Sequence, residues 1–339
     1  MRAVVMREQG APSVLKIEDM PLPVIKPHEV LIKVGATGVS YHDVVERNGA
    51  YQRGVHFPMV LGPEIAGTVE QVGDQVRELK PGDRVCCKPF HSCGVCRRCR
   101  NGMETACKSR KGTRGGYAEY AAVAEEATVR IPDSLHFHVA CWLAGTAGVA
   151  LNAIRDVARV RLGEHVLVTG ASGGLGLPSI EIACAAGAIV IAITRSEAKR
   201  AEIEKIGASH VVVAPDGHDF SKDVLALTGG DGAEVVVDNV GSRVFTPSFR
   251  SLAVGGRYAL VGQLFREEIS INPARIFFKR AQILGVGSVR RDQLEDAIKL
   301  VVAGKIHPKV AQVFPLEKAA EAHALVESGS VLGRVVLEP

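Results

Sequence analysis

Residues 166–176 read "VLVTGASGGLG". An apolar run ends here in four closely spaced glycines, Gly170, Gly173, Gly174 and Gly176, and a helical stretch, "LGLPSIEIACAAG", begins at once. Glycines permit the tight turn from strand to helix and let backbone N–H groups approach a pyrophosphate at the helix N-terminus. The turn predicts a dinucleotide site to which Gly170, Ser172, Gly173, Gly174 and Leu175 contribute.

A glycine-rich turn alone is weak evidence, because many helix–strand contacts want small residues. Its surroundings decide. After it come "AIVIAIT" (strand), "SEAKRAEIEKIG" (helix), "HVVVA" (strand), "DFSKDVLALTG" (helix), "AEVVVDNV" (strand), "VFTPSFRSLAVG" (helix) and "RYALVG" (strand). Apolar strands separated by helical stretches indicate a doubly wound parallel sheet, a Rossmann-type α/β domain. Upstream the texture differs. "EVLIKVGATGV", "EIAGTVEQVG" and "KPGDRV" are short strands and turns in a Val-, Gly- and Pro-rich region, which reads as an irregular, mostly β domain. Downstream, "RRDQLEDAIKLVVAG" and "EKAAEAHALVESG" are helices, and "VAQVFP" and "GRVVLEP" strands. The expected organisation is 1–139 as the first domain, 140–287 as the dinucleotide domain, and 288–339 returning to the first.

A chain of 339 residues is longer than one hydrophobic core usually spans, in keeping with two domains. Apolar residues make up 47% and charged residues 23%, the balance of a globular protein, and a net charge of +4 does not suggest a nucleic-acid or membrane-surface binder. No apolar run suggests a membrane span, and "MRAVVMREQG" lacks the pattern of a signal peptide. A cytoplasmic location is expected.

Four of the eight cysteines crowd into "CGVCRRCRNGMETAC" as Cys93, Cys96, Cys99 and Cys107. Four thiolates on a short loop fit a closed tetrahedral zinc site of structural type; an iron–sulfur cluster is the alternative by ligand type. The lobe is also basic, with Arg97, Arg98, Arg100, Lys108, Arg110, Lys111 and Arg114. This reads as a solvated loop, with contact to a substrate's phosphates as a secondary reading.

At the end of the second Rossmann strand, where an NAD enzyme usually carries a carboxylate for the adenosine ribose, this chain has Thr194, Arg195, Ser196 and Lys199. A carboxylate would repel a 2′-phosphate, whereas these residues would bind one, so NADPH is expected over NADH. The plainer reading is charged residues opening a surface helix.

With these features together, the sequence resembles the medium-chain dehydrogenase/reductase superfamily along essentially its whole length. The matching motifs are "LGPEIAGTVEQVGDQVRELKPGDRV", the four-cysteine lobe, "VLVTGASGGLG" and "VVVDNVG". The resemblance implies a GroES-like catalytic domain, a Rossmann domain and a catalytic cleft between them. It also implies one structural zinc per chain and a homodimer or homotetramer, with "INPARIFFKRAQILGVG" as a source of subunit contact. By the same resemblance Thr146, Val240, Gly241 and Gly262 belong to the cofactor site.

The pattern breaks at the catalytic zinc. Zinc alcohol dehydrogenases of the superfamily place a cysteine at the position of Ser40 and a histidine at that of Pro63. They place a third ligand a few residues before Thr146, where Cys141 is the nearest candidate. Proline has no ligating atom and a serine hydroxyl is a poor zinc ligand. A rebuilt set of His42, Glu64 and Cys141 is the alternative, against plain readings of Glu64 as a packing acid and Cys141 as a small buried hydrophobe. The expectation is a retained structural zinc and a lost catalytic one.

Alcohol oxidation relies on a bound zinc to stabilise the alkoxide. Reducing an activated C=C bond asks less: hydrogen-bond donors stabilise an enolate oxygen, and a proton reaches the α-carbon. The stretch "SYHDVVERNGAY", residues 40–51, resembles zinc-free quinone oxidoreductases and enoyl thioester reductases. The latter carry a catalytic tyrosine at Tyr51, and acrylyl-CoA reductases have Asn-Tyr-Lys-Asp where this chain has Ser-Tyr-His-Asp. Tyr51, His42 and Tyr41 are the candidate catalytic residues, with proton donor and packing residue both open for Tyr51. The expected function is NADPH-dependent reduction of an α,β-unsaturated thioester or carbonyl. The alternatives are an alcohol or aldehyde dehydrogenase with atypical ligands, a quinone reductase, and a non-catalytic nucleic-acid-associating protein. The expected partner is a small-molecule substrate, with no nucleic acid and no membrane.

Overall fold

A computed structural model describes residues 1–51, 55–263 and 267–339. The chain forms two compact units. One comprises Met1–Gly148, Val289–Val302 and Lys309–Pro339; the other comprises Val149–Ser288 and Ala303–Pro308. The change of unit falls at 148/149, inside a helical run, whereas the change in sequence texture comes near 140.

The first unit is built on a mixed sheet whose strands run, in spatial order, Thr128–Arg130, Arg84–Cys87, Ile65–Val72, Glu29–Val39, Arg334–Glu338 and Val310–Pro315. Strand Tyr120–Ala124 pairs with the long strand Glu29–Val39 off this path. The two strands of the chain's tail thus lie in the sheet of the N-terminal unit, Arg334–Glu338 antiparallel to Glu29–Val39 with Val336 opposite Gly38. Gly67 shows why this sheet needs glycine: a Cβ there would lie 2.1 Å from the carbonyl oxygen of Lys33 on the neighbouring strand. The core collects inward-facing residues such as Val30, Ile32, Ile65, Val69, Val85 and Val123, the period-2 pattern of a sheet with one covered face.

The second unit is a six-stranded parallel sheet in the order His210–Val213, Ile189–Thr194, His165–Val168, Ala233–Asp238, Leu252–Leu260, Gln282–Gly285. Its central strands are mostly Val, Ile and Leu, as expected of strands covered on both faces. The fold is therefore the expected GroES-like domain plus Rossmann domain of the α/β class.

Two expectations differ from the structure. "VFTPSFRSLAVG" is helical only through Arg250, and the next strand already begins at Leu252. Leu252 is fully buried and opposes Ala233 ahead of a register shift, so pairing with the neighbouring strand overrides the helical pattern. Secondly, Phe137–Val157 forms an apolar helical run of 21 residues, long enough to cross a membrane, where the sequence suggested none. Most of it is buried inside the protein, which accounts for its apolar composition. It contains two π-helical turns, Ala144–Gly148 and Asn152–Val157.

Candidate active-site residues and metal centre

Ser40 ends the long strand and caps the helix Tyr41–Arg47. Its hydroxyl donates to Asp43 Oδ2 at 2.6 Å, its backbone N–H donates to the same oxygen at 2.9 Å, and its oxygen accepts the Asp43 N–H at 3.3 Å. This reciprocal cap satisfies donors that a helix start otherwise leaves orphaned. Ser40 and Asp43 are therefore committed to the fold.

The helix presents Tyr41, half-buried, and His42 from its first turn. Asn48 and Gly49, the latter at φ 86°, then turn the chain back, and the Tyr51 N–H donates to Val45 O at 2.9 Å. The turn sets the Tyr51 ring 5.0 Å from the His42 ring, centroid to centroid and tilted by 56°. His42 Nδ1 lies 3.9 Å from Glu46 Oε2, one helical turn on, too far for a hydrogen bond. Glu46 is itself buried and accepts from Arg114 at 2.6 Å. Burial pushes the Glu46 carboxyl above its usual range, against the opposing pull of His42 and Arg114. Arg114, grouped by sequence with the basic lobe, instead turns inward to Glu46 and Met59.

Glu64 is buried and paired with Arg334 from the last strand. Burial lifts its carboxyl to about 7, with Arg334 opposing and Asp43 reinforcing the shift. Gly38 and Gly145 pack against this carboxylate, where a Cβ would come within 2.1 and 2.6 Å of its oxygens. Cys141 is buried nearby, its thiol pushed well up by burial and then by Glu64. Thr146 sits in the first π-helical turn, fully enclosed, its hydroxyl donating to Trp142 O at 2.8 Å. His42, Glu64 and Cys141 are not gathered into a ligand group: among the described residues, one group alone brings together three or more potential metal ligands.

That group is Cys93, Cys96, Cys99 and Cys107, whose sulfurs all lie within 4.8 Å of one another. Cys96–Cys99, Cys107–Cys93 and Cys93–Cys99 are separated by 3.5, 3.6 and 4.0 Å. A tetrahedron of thiolates about 2.3 Å from a central zinc has edges of about 3.8 Å, so the donor set fits that ion. Hydrogen bonds, first from the Cys99 backbone, draw the Cys96 thiol down to about 6, while burial pushes Cys99 up to about 11. All eight cysteines are free thiols. Arg97, Arg100, Lys108 and Lys111 are exposed, and Arg98 and Arg110 close the lobe on the carbonyls of Ala106 and Thr105.

In the second unit, Gly170 takes φ 59° and its carbonyl accepts the Gly173 N–H at 3.0 Å. A Cβ on Gly176 would lie 2.2 Å from Gly170 O, so this position must be glycine for the helix Gly176–Ala185 to start so close to the turn. No side chain caps that helix, and an uncapped helix start beside the loop of Ser172, Gly173, Gly174 and Leu175 is a place where a phosphate binds well.

Asp238, fully buried, fastens this loop to its neighbour. It accepts from Thr169 Oγ1 at 2.6 Å, from Tyr258 OH at 2.5 Å, and from the N–H groups of Val240 and Gly241 at 3.0 Å each. Gly262 packs on this turn: a Cβ there would lie 2.3 Å from Asn239 O. Arg195 is exposed and paired with Asp216 at 3.1 Å. Thr194 Oγ1 accepts the Ser196 N–H at 3.3 Å. Burial, then Arg195, lowers Lys199 from its usual range.

The structure thus joins Tyr51 with His42, the four cysteines with one another, and Gly170 and Gly173 with Val240 and Gly241 through Asp238. Sequence reasoning did not anticipate Glu46, Arg334, Asp216 or the role of Asp238. Of these only Asp238 carries a local signal, the lone acid closing an apolar strand in "VVVDNVG".

Residues 26–133 match the model of the alcohol dehydrogenase GroES-like domain, and 174–303 that of the zinc-binding dehydrogenase family. An acryloyl-coenzyme A reductase of Sulfurisphaera tokodaii is 33% identical over 100% of both chains. A quinone oxidoreductase of Rattus norvegicus is 33% identical over 99% of this chain and 97% of its own. The crystal structure of AibC superposes with a TM-score of 0.94 at 40% identity, covering 100% of this chain and 96% of that one.

Proposed function

The chain belongs to the medium-chain dehydrogenase/reductase superfamily and is an oxidoreductase of that kind that takes a nucleotide cofactor; we propose that it uses NADPH to reduce an activated C=C bond. The observation that carries the reading is the commitment of Ser40 to a helix cap beside a His42–Tyr51 pair. Where zinc relatives would polarise an oxygen with a metal, this chain offers a phenol and an imidazole as hydrogen-bond and proton donors.

A bound NADPH supplies the hydride for the β-carbon of the substrate. The chain's own residues hold the cofactor and handle the negative charge and the proton. The glycine turn and the helix Gly176–Ala185 bind the pyrophosphate, and Arg195, Ser196 and Lys199 bind the 2′-phosphate. Tyr51 OH donates a hydrogen bond to the enolate oxygen, and His42, whose ring packs against Tyr51, delivers the proton to the α-carbon. Cys93, Cys96, Cys99 and Cys107 hold one zinc ion as a closed structural site. A cysteine cluster used for metal ligation, with none of the eight cysteines in a disulfide, supports a reducing, cytoplasmic setting. Phe277 and Phe278, 74% and 76% exposed on the helix Pro273–Lys279 that precedes the edge strand Gln282–Gly285, support self-association.

The test is an NADPH-oxidation screen across acrylyl-CoA, crotonyl-CoA, simple enones, quinones and aldehydes, with and without a chelator. Turnover of an activated alkene, with one zinc per chain, is expected. Aldehydes as the only substrates, with rapid loss of rate on chelation, would overturn it.

A further inference from the structure

One buried ion ties the cysteine lobe to the rest of its unit. The Lys88 side chain is 0% exposed, and its Nζ lies 2.8 Å from Glu104 Oε1 and 2.7 Å from Glu126 Oε1. A buried ammonium is tolerated only where close, hydrogen-bonded partners offset its lost hydration. Both carboxylates are engaged a second time. Glu126 accepts the N–H and the hydroxyl of Ser92 at 2.7 and 3.0 Å, and Ser92 immediately precedes Cys93. Glu104 opens the short turn Glu104–Ala106 that leads into Cys107. The first and last cysteines of the lobe therefore hang from one ammonium through two acids.

The connection runs further. The Glu104 oxygen that meets Lys88 also accepts the backbone N–H of Arg291 at 2.8 Å. Arg291 is the first residue of the helix Arg291–Val302, which comes from the chain's return into this unit. A carboxylate at a helix start satisfies an orphan N–H and complements the helix dipole. The Arg291 guanidinium also donates to the carbonyls of Thr128 and Glu125 at 2.9 and 3.3 Å.

We propose that Lys88 is a positioning residue for the cysteine centre: it fixes the spacing of Cys93 and Cys107 and, through Glu104, links occupancy of that centre to the first turn of the helix Arg291–Val302. The inference rests on the reading that the four cysteines hold zinc. A basic residue held inside the unit is distinct from the exposed arginines and lysines of the lobe, because it acts on the shape of the site rather than on solvent.

The experiment compares the parent with Lys88→Met, Glu104→Gln and a control, Ile191→Val, which destabilises the core of the other unit. Zinc per chain is measured by elemental analysis. Zinc release is followed with a chromogenic chelator, and amide exchange of a peptide covering 291–302 is measured before and after chelation. A parent without zinc would sink the metal reading itself, and the inference with it. With zinc present, Lys88→Met and Glu104→Gln should release it at least ~10-fold faster, the usual effect of removing a support to metal ligands. Chelation of the parent should speed exchange in the first turn of the helix. Release at the parent's rate from either variant overturns the proposal, as does equally fast release from the control, or exchange in 291–302 that ignores the metal. Should Lys88→Met not fold, Glu104→Gln, which leaves Lys88 its contact with Glu126, decides.

Discussion

Replacing Asp216 with asparagine should make the protein bind NADPH more tightly. Arg195 lies 3.1 Å from Asp216, with the two side chains 63% and 78% exposed. At that distance two unit charges in water attract by ~1.3 kcal/mol, and measured exposed pairs are worth about 0.2–1 kcal/mol. A 2′-phosphate that recruits Arg195 has to draw it away from Asp216. Removing the acid should therefore lower the KM for NADPH by ~2–5-fold, the equivalent of up to about 1 kcal/mol. NADH, which lacks that phosphate, should be unaffected. Arg195→Ala should act in the opposite sense and more strongly, raising the KM for NADPH ~10-fold or more, because a charged hydrogen bond is worth about 1.5–3 kcal/mol. The assay is initial-rate cofactor oxidation with one fixed enone, both cofactors, at low and high salt. The Asp216→Asn gain should shrink as salt screens the exposed pair. If Arg195→Ala shifts the KM for NADH as far as that for NADPH, or if the parent uses both equally, Arg195 does not read the 2′-phosphate and the reasoning fails.

Other outcomes follow from the same geometry. Tyr51→Phe should cut kcat while leaving NADPH affinity, measured by fluorescence titration, unchanged; an unaltered kcat removes Tyr51 from proton transfer. Glu64 keeps a proton to about 7 in the folded protein, against an ordinary value of 4.5. It then holds a proton that the unfolded chain has released, so stability falls as pH rises from about 4.5 to 7, by on the order of 3 kcal/mol. Glu64→Gln should flatten that part of the curve of Tm against pH, and a curve of the parent's shape would refute the assignment. Asp238→Ala strands the donors of Thr169, Tyr258, Val240 and Gly241, most of them buried, and should cost ~3 kcal/mol or more, seen in urea unfolding; a loss below about 1 kcal/mol would contradict its fastening role.

The Rossmann unit was legible because its signals are local. A buried parallel strand is a continuous apolar run, and the glycine turn between 170 and 176 answers to contacts within the same few residues. The cysteine lobe was legible for the same reason, since its four ligands fall within fifteen positions. Glu64 shows the limit. Its partner, Arg334, lies in the final strand, and nothing in the sequence near either residue announces the other. Arg114 was misplaced by its neighbours: amid basic residues it resembled them, but a buried Glu46 drew it inward. The extent of the helix before Leu252 was overestimated because strand pairing with Ala233 outweighs local propensity, a competition that periodicity cannot see.

The cap at Ser40 has a consequence for anyone wishing to turn this scaffold into a metal-dependent alcohol dehydrogenase. Installing cysteine there would surrender the two hydroxyl contacts with Asp43 and loosen the turn that delivers His42. The histidine ligand would further require a different backbone at Pro63, which follows a glycine held at φ 91°. Two point changes would therefore yield a frayed helix and no ion. Conversion would have to start from the local backbone, and laboratory selection for zinc-dependent turnover should be expected to move the 40–51 segment before it recovers any ligand.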